Sequence, residues 1–120
     1  MNGWPLSGQN PTLVQSGNID PGSSIRTFFS SISVDAEGNS AVICARSSPN
    51  EFISIYRASR TPADPLGTMP DRSTVISSNG TYTASNRWGD YSGCAVDPSD
   101  GRTFWGHHEF AENNSWRTWI

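Results

Sequence analysis

The chain contains no lysine and only three leucines, and its apolar runs are never more than a few residues long. The eight arginines are scattered through a chain of net charge −3, so no basic stripe exists to neutralise a phosphate backbone, and nucleic acid is not expected as a partner. The short apolar runs fall far below the ~20 residues that cross a bilayer, so no membrane segment is expected. The opening Met1-Asn-Gly-Trp-Pro has neither a basic region nor an apolar stretch, and no signal peptide is expected there. Only two cysteines are present, Cys44 and Cys94, and they are far apart, without the C-x-x-C pairing of zinc and redox sites. They are expected as buried thiols acting as small hydrophobes, with a single disulfide as the alternative.

What the chain does have is turn formers and rings. Eleven Gly, eight Pro, five Trp, five Phe and three Tyr in 120 residues disfavour helix and favour strands joined by tight connections, within one domain's length.

Superposing the chain on itself reveals a repeat, the first thing to seek in such a composition. Thr12-Leu13-Val14 lies over Thr74-Val75-Ile76, and Val34-Asp35 lies over Val96-Asp97 at the same offset. After the turns Ala36-Glu37-Gly38 and Pro98-Ser99-Asp100-Gly101 the offset grows by one, and Ala41-Val42-Ile43 falls on Phe104-Trp105-Gly106. Turns tolerate insertions and strands do not, so a duplicated hairpin gives this pattern.

Each copy reads as four strands: 12–17, 27–35, 39–48 and 51–60 in the first, then 73–80, 89–97, 102–111 and 115–120 in the second. The expected division is a first unit with its lead-in over 1–60, a Pro/Gly-rich connection over 61–72, and a second unit over 73–120. Ala41-Val42-Ile43-Cys44-Ala45 is apolar at every position, which predicts a strand buried on both faces, and Thr103-Phe104-Trp105-Gly106 reads the same way. Small sheets stacked face to face have this property, as propeller blades do. The competing two-layer sandwich would need a polar outer face on each sheet.

The residues Arg87-Trp88-Gly89-Asp90-Tyr91-Ser92, then Val96-Asp97-Pro98, then Thr103-Phe104-Trp105 and Trp116-x-Thr118 carry a resemblance. The chain resembles secreted or cell-surface bacterial β-propellers with an R-W-G-D-Y-S…V-D-P…T-F-W signature, loosely akin to sialidase-like Asp-box repeats, although the spacing differs from an Asp box. The resemblance implies an all-β fold of two four-stranded antiparallel blades, the ring being completed by other chains or by further sequence. It also implies an extracellular or cell-surface location, and makes Asp97 and Gly101 turn formers and Trp105 a packing anchor. Two blades cannot close a ring of about four to eight. The expected partners are therefore copies of the chain associating head to tail, or another propeller chain.

Several residues could carry chemistry. Arg87, Trp88 and Asp90 offer a guanidinium, an indole face and a carboxylate, a trio suited to a sugar ring and its hydroxyls. The same three could equally fix their own loop. His107 and Glu109 share a strand face and could join a ligand site, but two donors are too few for a metal, and none is expected. Asp35 with Gly38, and Asp97 with Gly101, are expected to build turns; calcium at these aspartates is the alternative. No nucleophile elbow, phosphate-binding glycine loop or H-E-x-x-H occurs. The expected function is a non-catalytic extracellular binding or scaffold module that assembles head to tail, with a carbohydrate as the candidate ligand. The alternatives are a sialidase-like glycoside hydrolase with a site formed by several chains, and a subunit of an extracellular filament.

Overall fold

A computed structural model describes residues 12–22 and 24–120. All regular structure among them is strand: β1 (Arg26–Val34), β2 (Ser40–Ser48), β3 (Glu51–Arg60), β4 (Asp71–Ile76), β5 (Gly93–Val96), β6 (Phe104–Glu112) and β7 (Ser115–Trp119). They form two antiparallel sheets, one of four strands in the order β1-β2-β3-β4 and one of three in the order β5-β6-β7.

The turns explain why neighbouring strands pair. In the β1–β2 turn the Asp35 N–H donates to the Asn39 carbonyl at 3.0 Å, and in the β5–β6 turn the Asp97 N–H donates to the Thr103 carbonyl at 2.7 Å. Gly38 and Gly101 close these turns with φ of 86° and 69°, the left-handed region that glycine enters without strain. The β6–β7 hairpin turns on Asn113 and Asn114, with φ of 50° and 60°, the type I′ geometry that matches strand twist and that Asn tolerates.

Register shows how the two sheets correspond. Val34 sits opposite Ser40 and Ser48 opposite Glu51; Val96 sits opposite Phe104 and Glu112 opposite Ser115. The second turn is thus longer by two residues, not one, so Phe104 corresponds to Ser40 and the expected overlay of Ala41 on Phe104 is shifted by a position. Two further expectations change. Residues 12–17 form no strand, and the strand expected to open the second unit, β4, instead pairs with β3 and completes the first sheet. Its placement follows from its contacts: Arg57 and Ser59 both bond Asp71 at 2.7 Å, and Ile76 packs on the core. Residues 61–70 therefore return the chain within one sheet, and residues 77–92 cross to the other. The second sheet has three strands among the described residues rather than four.

The sheets pack face to face, with β1 against β5 and with β2 and β3 against β6. Ile43, Ile55 and Phe110 form the shared core, flanked by Ile76 and Cys94. Gly106 permits the close approach, since a Cβ there would come 3.0 Å from Ile43 Cδ1. On β2, Val42, Ile43, Cys44 and Ala45 are all buried, so both faces of that strand are covered. Residues 15–19 and 67–69 lie over the far face, bordering a cavity of about 290 Å³ with Val42 and Ile32. The Gly67 N–H donates to Gln15 Oε1 at 3.0 Å. Burial on β6 does not follow the expected pattern: Trp105 is 55% exposed, and the buried run is His108 to Ala111. Alternation sends Trp105, His107 and Glu109 to the side opposite Gly106 and Phe110, the side turned away from the first sheet. Both cysteines are free, and burial pushes the Cys44 thiol up to about 11.

Candidate functional site

The crossover 77–92 is tied to both sheets, to β3 at its start and to the β6–β7 hairpin further on. The Ser78 N–H donates to Ser54 Oγ at 2.9 Å, and the Ser78 hydroxyl donates to the Ala111 carbonyl. The Thr83 N–H donates to Asn114 Oδ1 at 2.7 Å, tying the loop to the β6–β7 turn. Beyond it, Arg87 and Asp90 form an ion pair at 2.8 Å across the exposed tip.

Gly89 is the hinge of this loop. Its φ of 89° is left-handed, and its N–H donates to Glu109 Oε2 at 2.8 Å. A Cβ at this position would collide with the Phe29 ring, so glycine is required for both conformation and space. Phe29 itself has a φ of 52°, unusual for a bulky residue, at the register shift between Phe28 and Ser31 of β1. The bulge turns the Phe29 carbonyl toward His108 Nε2, 2.8 Å away, and the Glu109 N–H lies 2.8 Å from His108 Nδ1. With Nδ1 accepting that N–H, Nε2 carries the hydrogen given to Phe29. His108, fully buried, thereby locks the two sheets together.

Around Glu109 the loop closes a cleft of about 230 Å³. Tyr82 and Trp88 meet in it with centroids 5.1 Å apart and planes at 59°, and Tyr91 stacks on Trp116 at 5.9 Å and 26°. Glu109 is only 4% exposed, and among the described residues its carboxylate has the Gly89 N–H as its hydrogen-bond donor. The Trp88 indole nitrogen is buried with no partner among the described residues. A carboxylate with spare acceptor capacity and an indole N–H thus border four aromatic rings, which suits a ligand with both apolar faces and hydroxyls.

No protein-family model matches this chain, and no curated protein or solved structure matches it. Its chemistry must be read from the geometry itself.

Of the expected ligand residues, Arg87, Trp88, Asp90 and Glu109 all line the cleft. His107 does not; it is exposed on the same sheet face, with its ring over Gly93. Tyr82, Tyr91 and Trp116 complete the cleft without having been expected there, although Tyr91 and Trp116 stand in the motif residues quoted above. Among the described residues no group of three or more His, Cys, Asp or Glu is placed to hold a metal ion.

The turn aspartates are occupied locally. Asp35 Oδ1 accepts the N–H groups of Glu37 and Asn39 at 2.9 Å each, and Asp35 Oδ2 accepts from Asn39 Nδ2 at 2.7 Å. Asp97 accepts the Ser99 N–H and the Trp105 indole N–H, both at 2.8 Å. Trp105 thus anchors the turn through its nitrogen while its ring stays half exposed. These bonds hold both carboxyls below the usual range, through the Asn39 side chain first for Asp35 and the Trp105 indole first for Asp97. Arg102 in the second turn bonds Glu37 in the first, joining the two.

Proposed function

We propose that this chain is a non-catalytic, extracellular carbohydrate-binding module of β-propeller type, whose two sheets are successive blades that stack head to tail with further copies. The observation that carries the binding reading is the cleft: stacked Tyr91 and Trp116 present aromatic face, and Glu109, Arg87 and Asp90 supply partners for hydroxyls around it. Sugars offer C–H faces and hydroxyl edges, which this combination matches. Asp90 is already paired with Arg87, leaving Glu109 as the one buried carboxylate of the cleft. Glycoside hydrolysis uses two carboxyl groups, so a binding role fits better.

Two features support the blade reading. The pairs at the strand ends of β1–β3 and β5–β7 correspond, as a repeated blade requires, although the first sheet has register shifts at Phe28/Ser31 and Arg46/Ser48 that the second lacks. Both outer surfaces carry exposed large apolar side chains: Ile32 and Val34 on the first sheet, and Trp105 and Trp116 on the second. Stacking would cover both.

A glycan array probed with the whole chain tests the binding reading. Binding to a defined set of glycans is expected, weakened about 30-fold by Trp116→Ala, the ~2 kcal/mol that truncating a central aromatic contact costs. No binding across the array, or unchanged affinity in the variant, would overturn it.

A further inference from the structure

The two sheets differ at one edge. In the first, β3 is covered by β4. In the second, the corresponding strand β7 pairs with β6 alone among the described residues, and all five of its residues are exposed. An uncovered strand edge is a row of unpaired N–H and C=O groups ready to take another strand.

The chain also contains a second copy of the strand that covers β3. Thr12-Leu13-Val14-Gln15-Ser16 repeats the pattern of Thr74-Val75-Ile76-Ser77-Ser78, which begins in β4 and continues into the crossover. Yet this segment forms no strand, and Leu13 and Val14 are 84% and 76% exposed. It precedes β1 as β4 precedes β5. Its neighbours, residues 15–19, lie on the far face of the first sheet, with the second sheet on the opposite side. The segment is therefore turned away from the β7 of its own chain and toward whatever stacks on that far face.

We infer that residues 12–16 of one copy add as a fourth strand to β7 of the copy stacked against it, so that each chain completes its neighbour's second sheet. The inference rests on the head-to-tail stacking proposed above and names the contact that would hold it. Register can be assigned. Ala45 and Glu109 correspond, and their cross-strand partners are Ile55 and Thr118. Since Ile55 faces Ile76 and Tyr56 faces Thr74, Val14 should face Thr118 and Thr12 should face Trp119. A seat exists for the strand. An open groove of about 570 Å³ is lined by the consecutive residues Asn114 to Thr118, with Tyr82 and Ala84 on its other side. Consecutive lining residues mean that the groove follows the backbone, since a sheet face presents only alternate ones. Docking requires release of the Gln15–Gly67 bond and of Ser16 from its close packing against Gly67, while residues 17–19 stay over the first sheet.

The test uses two full-length proteins, Val14→Cys and Thr118→Cys, mixed under mild oxidation and run on a non-reducing gel, with solution mass measured in parallel. Covalent dimer is expected from the mixture and not from either protein alone, because directly opposed strand residues meet disulfide geometry. Leu13→Cys, whose side chain lies on the other face, should link to Thr118→Cys far less. Near-ultraviolet dichroism matching the parent confirms that each single variant is folded. Oligomers without the specific cross-link would overturn strand addition while leaving stacking in place. A chain that is monomeric at its highest soluble concentration would overturn both, and the glycan array would still judge the cleft independently.

Discussion

The two sheets are built from corresponding strands, yet they are buried differently. β2 is covered on both faces: the second sheet sits on Ile43 and Ile55, while residues 15–19 and 67–69 sit over Val42. β6 is covered on one face by the first sheet, and on the other only where the crossover loop reaches Glu109 and Ala111. Trp105 and His107 at the other end stay exposed. The comparison teaches that strand pattern fixes which residues share a face, whereas burial depends on what arrives to cover that face. On the first sheet residues 15–19 and 67–69 supply that cover over Val42 and leave Ile32 and Val34 exposed; on the second the crossover loop supplies it at one end only.

The strongest way to break the comparison is to truncate one residue on each side of it. Ile55→Ala should cost about 2–5 kcal/mol in denaturant unfolding, the range for a large aliphatic removed from a packed core. Trp105→Ala should cost about 1 kcal/mol, from loss of its bond to Asp97. Equal losses for the two would mean that the outer face of the second sheet is covered in solution, and would favour stacked copies. Gly89→Ala comes next, at about 1–3 kcal/mol, because it strains a left-handed backbone and collides with Phe29. It should also weaken glycan binding through the lost alignment with Glu109, so unfolding and binding measured together separate the two sheets' contributions.

Asp97→Ala should cost about 1 kcal/mol, since it frees the Ser99 and Trp105 donors at a solvent-accessible turn. The smallest effect is that of acid. Asp35, Asp97 and Asp100 all have carboxyls held low by turn donors, Asp100 down to about 2 mainly by the Thr103 hydroxyl. The unfolded chain binds protons first as pH falls, so the stability these groups give is complete above about pH 4 and drains away toward pH 2. Thermal melts across that window should show a falling midpoint, and Asp100→Asn should flatten the fall.

Much of this architecture was legible because local rules govern it. An unbroken apolar run at 41–45 announced a strand covered twice, and Asp with Gly at 35–38 and 97–101 announced turns. The partner of β4 was not legible: pairing with β3 is decided by Asp71 meeting Arg57 and Ser59 across a Pro-rich loop, which no periodicity reports. Nor was the exposure of Trp105, because an aromatic held by its own turn looks in sequence like one held by a core. The second turn's extra length escaped because a three-residue apolar overlay slides by one position without penalty. In the site, Arg87, Trp88 and Asp90 are neighbours in the chain and were visible together. Tyr82 and Trp116 reach the cleft only through the crossover and the β6–β7 hairpin, so their convergence with Glu109 is a product of the fold.

The junction of Phe29, Gly89 and His108 has a consequence for how the chain reaches its native state. Both sheets contain hairpins closed by turns of a few residues, which form fast and independently. The His108–Phe29 bond instead joins positions 79 apart and requires both sheets to exist and to be seated on one another. The exchange rate of the His108 ring hydrogen therefore reports the docking step alone, and should be set by sheet separation well before either hairpin unravels.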